Sequence, residues 1–243
     1  MLLIATFSVL FCFVLADPIP DAAQCQMQLN DIDSILKEIM MITENPILPS
    51  NPEKMEKWCN KTKPLGRKVS KYAPCQEAYP KQVTQLFSTT IKKPVEYVCT
   101  TKRDESMAHF ACIDDSLLAK FKATASKMLF SMSKLSAVAV PDIVPTICCS
   151  FADSLESVKQ FPKPTQGNCG TMEVVTWMHD RLKSSADEVL DLVCGDLQTV
   201  AKCKSDKPKI LESVRAPVPA TFSSQATPFL GNYLAALGRM SSN

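Results

Sequence analysis

Only six glycines occur in the 243 residues, and none of them follows Asn or Asp. The two-residue turns that close most β-hairpins therefore have no signal here. Period-two alternation of apolar and polar residues is missing too, so strands are not expected. Histidine is limited to His109 and His179. The chain has no H-E-x-x-H, no G-x-S-x-G, no P-loop and no C-x-x-C pair, which removes the usual signatures of zinc hydrolases, serine hydrolases, phosphate cradles and dithiol exchange. Neither sign of charge dominates. The formal net charge of +2 speaks against nucleic acid as a partner. Beyond residue 16 no apolar run is long enough to span a membrane.

What the chain does contain begins with residues 1–16, MLLIATFSVLFCFVLA, an apolar run without a charge. Val14 and Ala16 occupy the −3 and −1 positions of a small-residue cleavage site before Asp17, so a secretory signal peptide is expected. The run is short for a spanning helix, and Pro18 and Pro20 would break it. Cleavage removes Cys12 and leaves Cys25, Cys59, Cys75, Cys99, Cys112, Cys148, Cys149, Cys169, Cys194 and Cys203. An even set of cysteines in an oxidising, extracellular compartment reads as a disulfide framework.

Helical spacing recurs along the whole chain. Cys25, Leu29, Ile32, Leu36 and Ile39 share one helix face. Ser50-Asn51-Pro52-Glu53 is a start signal for a second helix, which ends before Pro64. A third pattern runs from Glu77 to Ile91 and is interrupted at Pro94. A long segment over 104–135 follows, then one through Ile143, Ile147, Phe151, Leu155 and Val158. The last runs continuously over 171–194 and ends at Gly195, where a left-handed cap residue belongs. The expected fold is all-α, a disulfide-stapled bundle of about six helices over 17–204. Residues 205–243 are expected to form a flexible, Pro-containing tail with a short amphipathic segment at 228–240, and Arg239 is the only charge in 216–243.

The adjacent Cys148 and Cys149 raise the question of chemistry against staples. Catalytic thiols need a lowered pKa and a neighbouring base, and neither histidine is near them in sequence. As structural cysteines they point roughly 100° apart around a helix and can tie it to two neighbours. In a straight hairpin of helices 142–160 and 171–194, Cys194 would overshoot Cys149 by roughly 18 Å. Cys203, after a reversal at Gly195, is expected to bridge Cys148 or Cys149; the other pairings stay open.

Other candidates are weaker. His179-Asp180 with a vicinal cysteine pair suggests a phospholipase-like hydrolase, but a double-proline loop separates the two and no Gly-rich calcium loop is present. Asp187 and Asp191, one turn apart, suit a solvated face better than a calcium site. No metal or cofactor is expected. Between 54 and 71, seven basic residues stand against Glu56 alone, which reads as a wet surface. Asn60-Lys61-Thr62 in that strip is an N-glycosylation sequon, placing Asn60 on the outside. The apolar faces are rich in Met and Leu, as in helical bundles that enclose a ligand-sized cavity.

The cysteine contexts Trp58-Cys59-Asn60, Ala73-Pro74-Cys75, Tyr97-Val98-Cys99 and Ala111-Cys112 resemble those of secreted cysteine-rich helical proteins of arthropods. Ile147-Cys148-Cys149-Ser150-Phe151, Asn168-Cys169, Val193-Cys194-Gly195 and Lys202-Cys203 continue the likeness over about residues 25–203. These proteins are in turn loosely similar to the insect 27 kDa haemolymph glycoproteins. The resemblance implies an extracellular, non-enzymatic protein and carries over no catalytic residue. The expected function is a secreted binding protein, acting on an extracellular protein or carrying an apolar small ligand. The alternative is a secreted lipase-like hydrolase.

Overall fold

The computed structural model describes residues 21–164, 169–170 and 173–241. The expected signal peptide and its cleavage site lie outside the described residues.

Every regular element among the described residues is helical. In chain order they are α1 (Ala22–Ile39), α2 (Pro52–Thr62), α3 (Leu65–Tyr72), α4 (Ala78–Glu96), α5 (Arg103–Ala111), α6 (Asp115–Ser133), α7 (Val140–Lys159), α8 (Val174–Ser184), α9 (Asp187–Cys194), α10 (Val200–Asp206), α11 (Pro208–Arg215) and α12 (Leu230–Ser241). Capping follows the sequence closely. Asp21, Asn51, Asp114 and Thr199 each accept from a backbone N–H in the first turn of α1, α2, α6 and α10. Gly195 takes a positive φ of +50° after α9, as expected, but its ψ of −121° departs from the left-handed helical cap.

The all-α class is as expected, but several helices are divided more finely. The 104–135 segment breaks at Cys112–Asp114, where Asp114 turns from linker into the cap of α6. The third pattern does not stop at Pro94, because α4 runs through it and passes directly into a π-helical turn over Tyr97–Thr101. An internal proline removes one ladder bond and crowds the preceding turn. Burial of Val95 and Val98 and the Cys59–Cys99 bridge hold the chain in register on the far side. The 171–194 segment bends at Ser185–Ala186. There the hydroxyls of Ser184 and Ser185 donate to the carbonyls of Arg181 and Leu182, which also accept from the Ser185 N–H at 3.1 and 3.3 Å.

α7 is the central strut. It buries residues on several faces, among them Ile143, Ile147, Cys148, Cys149, Ala152 and Val158, and it packs against α6, α8, α9, α10, α11 and α12. Five disulfides pair all ten cysteines from 25 onward: Cys25–Cys75, Cys59–Cys99, Cys112–Cys169, Cys148–Cys194 and Cys149–Cys203. The vicinal pair thus ties α7 to α9 and to α10. Cys203 has the partner expected of it. Cys194 reaches α7 because the 171–194 segment is not one straight helix: it breaks at Ser185–Ala186, and α9 packs on α7.

Residues 205–241 depart from the flexible tail that was expected. α11 buries Leu211 and Val214, and Arg215 Nε donates to Asp153 Oδ1 at 2.7 Å. The ring of Phe222 meets Phe130 edge-on, and Lys37 Nζ donates to the Gln225 carbonyl. The amphipathic segment forms as α12, with Leu230, Leu234 and Leu237 at 2%, 3% and 0% exposure. Burying side chains of that size stabilises by about 1.5–3 kcal/mol each. Arg239 donates to the carbonyls of Leu135, Ser136 and Val138 and so pins the end of α12 to the connection between α6 and α7.

Candidate ligand-binding cavity

Between the packed helices lies a cavity of about 230 Å³. Apolar cavities near 150 Å³ already stay dry and take up a ring the size of benzene. Its wall is assembled from distant parts of the chain. Leu36 and Met40 come from α1 and its end, Phe87, Ile91 and Pro94 from α4, Phe121, Met128 and Met132 from α6, and Ile147 and Phe151 from α7. Trp177, Met178, Arg181 and Leu182 of α8 complete one side, with Ser185, Ala186 and Leu190 at the α8–α9 bend. Phe229, Leu230 and Tyr233 of the last helix close another. Setting aside the indoles of Trp58 and Trp177, only Arg181, Ser185 and Tyr233 carry polar side-chain atoms among these residues. Ser185 spends its hydroxyl on the Leu182 carbonyl. Burial pushes the Tyr233 phenol well above its ordinary range, so it stays neutral.

Pro94 of α4 and Ser185 and Ala186 between α8 and α9 all line this volume. A larger depression of about 670 Å³ lies between α12 and the start of α4. It is walled in part by Gln76, Glu77 and Arg239, and suits solvent rather than an apolar guest.

Aromatic rings pack around Trp177 of the cavity wall. His109 of α5 stacks on Trp177 with ring centroids 4.9 Å apart, and Phe110 meets the same indole edge-on. Burial holds the His109 imidazole below its ordinary pKa, with Glu105 pulling the other way. The Arg181 guanidinium lies over the Tyr97 ring at 3.9 Å. His109 Nδ1, Trp177 Nε1 and Arg181 Nε are all buried without a hydrogen-bond partner.

The residues singled out from sequence are placed as follows. His179 is largely buried, and its Nδ1 meets Asp180 Oδ1 at 3.1 Å; Cys148 and Cys149 are both disulfide-bonded and offer no thiol beside it. Asp191 accepts from Gln198, and no group of three or more His, Cys, Asp or Glu able to hold a metal occurs among the described residues. In the basic strip Lys57, Lys61 and Lys68 pair with Glu53, Glu38 and Asp31, while Lys63, Arg67 and Lys71 are exposed. Asn60 is exposed on α2, and Thr62 of the same sequon is buried with its hydroxyl on the Trp58 carbonyl.

Sequence reasoning missed Trp177 and Arg181 as wall residues. Their spacing of four on a helix was a usable signal, since it puts an arginine on the same stripe as buried apolar side chains. The bend beside them was also legible in hindsight, because two serines followed by Asp187 and Glu188 form a helix-restart pattern.

The chain matches no family model, no curated protein and no solved structure. No helix among the described residues is long and apolar enough to cross a membrane.

Proposed function

We propose that this is a secreted, non-enzymatic carrier that holds an apolar small ligand in the cavity between its helices. The observation that carries the reading is the cavity itself, whose wall is apolar and built from most of the helices. Five disulfides support an extracellular setting, because such cross-links persist where the medium is oxidising. An exposed Asn60 suits a glycan acceptor.

A pure protein-interaction module would present an outward apolar patch, and the 228–240 segment was the candidate. Its leucines face inward instead, and Met27 and Leu192 are the large apolar side chains most exposed among the described residues. A lipase-like hydrolase would need a nucleophile within reach of His109 or His179. The only hydrogen-bond partner of either ring among the described residues is Asp180.

Titration of the purified protein with the neutral apolar fluorophore N-phenyl-1-naphthylamine tests the carrier reading. Saturable uptake is expected, and Ala186→Phe, which puts a ring into the space, is expected to abolish it without lowering Tm. Absence of saturable uptake by the native protein overturns the reading.

A further inference from the structure

We infer that the ligand is an anionic amphiphile, a single-chain carboxylic acid whose hydrocarbon part fills the cavity and whose carboxylate is held by Arg181 beside Trp177. This rests on the carrier reading and specifies its ligand.

Arg181 is the one charged residue in the cavity wall. It makes no ion pair among the described residues, and its guanidinium face rests on Tyr97. That stacking fixes the plane of the group while its Nε stays buried without an acceptor. Four residues earlier on the same stripe of α8, Trp177 is 8% exposed and its Nε1 is likewise buried and unpartnered. A buried donor left without an acceptor has given up its hydration with nothing in return, and folded proteins leave few of them. Some partly buried cations elsewhere have carboxylate partners. Lys61 has Glu38, and Lys127 and Arg215 share Asp153. The two orphaned donors therefore mark a place where the acceptor arrives with the guest.

The chemistry of that acceptor follows from the wall. A carboxylate meets a guanidinium edge with two parallel hydrogen bonds, and the low dielectric of an apolar cavity strengthens them. A phosphate dianion would ask for a second cation, and none lines the cavity. Water is a poor substitute, because an apolar wall gives it too few further partners. A cavity of about 230 Å³ suits one chain rather than a two-chain lipid.

The test uses the full disulfide-bonded protein after delipidation, titrated by calorimetry at neutral pH with decanoic acid and with its methyl ester. The two probes share a chain and differ in the charge of the head. The acid is expected to bind about tenfold more tightly than the ester, as a charge-assisted pair in a dry site allows. Arg181→Gln is expected to reduce the acid's affinity to that of the ester and to leave the ester's unchanged. Equal binding of acid and ester by the unmodified protein overturns the carboxylate assignment and leaves the carrier reading standing. Failure of both probes, with no uptake of the neutral fluorophore either, removes both. A preference for the acid that persists undiminished in folded Arg181→Gln moves the anchor off Arg181 and also overturns the assignment.

Discussion

Asp33 on α1 caps the start of α12: its Oδ1 accepts from the Leu230 N–H at 2.8 Å across a sequence separation of 197 residues. The carboxylate is 4% exposed. A first-turn N–H that would otherwise be orphaned is thus satisfied by the opposite end of the chain.

Replacing Asp33 separates the roles of acceptor and charge. Asp33→Ala removes the cap and is expected to cost about 0.5–2 kcal/mol in urea unfolding. Asp33→Asn keeps an oxygen acceptor and is expected to be near neutral. Burial, the largest influence, raises the Asp33 pKa above 3.8, while the N–H groups of Leu230, Phe229 and Gly231 and the charge of Lys37 oppose it. The folded protein then holds this proton more tightly than the unfolded chain does. The contribution of Asp33 to stability is therefore greatest below the ordinary carboxylate value and declines as pH rises through the raised one. Asp33→Asn should flatten that slope between acid and neutral pH.

Arg239 supplies the only charge after residue 215 and spends it on three carbonyls. Arg239→Met is expected to destabilise by about 1–3 kcal/mol, since a charged donor is withdrawn from three carbonyls, those of Leu135 and Val138 being buried or half-buried. Hydrogen exchange should quicken first in α12 and at residues 135–138. Equal loss of protection across all helices would mean that α12 does not open independently.

Asp153 is buried between two cations that are more exposed than it is, Lys127 on α6 and Arg215 on α11. Removing one cation leaves the other to balance the carboxylate, so Lys127→Met and Arg215→Met should each cost about 1–2 kcal/mol. Removing both leaves a buried, unpaired charge. The double variant is expected to lose more than the two singles combined, a coupling that a double-mutant cycle in denaturant measures. Simple additivity would show that the site is more open to water than its burial indicates.

The Cys148–Cys194 bridge closes a loop of 46 residues and holds α9 against α7 after the bend. Cys148→Ser with Cys194→Ser is expected to cost about 2–4 kcal/mol. Because Ser185, Ala186 and Leu190 line the cavity at that bend, ligand off-rates should rise with it. Unchanged off-rates in a destabilised variant would show that α9 keeps its place without the bridge.

Much of the helical layout was legible because it is local. The faces through Ile32 and Leu36, or Ile143 and Ile147, repeat at a spacing that needs no knowledge of the neighbour. The same holds for the cap at Asn51 and for the positive φ at Gly195. The reach of Cys203 to the vicinal pair followed from chain length alone. The limits have physical causes as well. Pro94 looked like an interruption because its cost is local, whereas the burial and the disulfide that offset it depend on other helices. The segment through 205–241 looked detached because it is poor in charge and rich in proline. Its anchors are single long-range contacts, Arg215 to Asp153, Leu230 to Asp33 and Arg239 to three carbonyls, and composition does not report them.

By itself the order of residues determined the helical class, the starts and stops of several helices and the role of cysteine as staple, since each depends on neighbours within a turn or two or on simple counting. The bend that lets Cys194 reach α7, the docking of α12 and the cavity with its unpartnered Arg181 were decided only in three dimensions. A cavity is the volume left over when side chains from distant helices fail to meet, and that difference exists only after the helices have been placed.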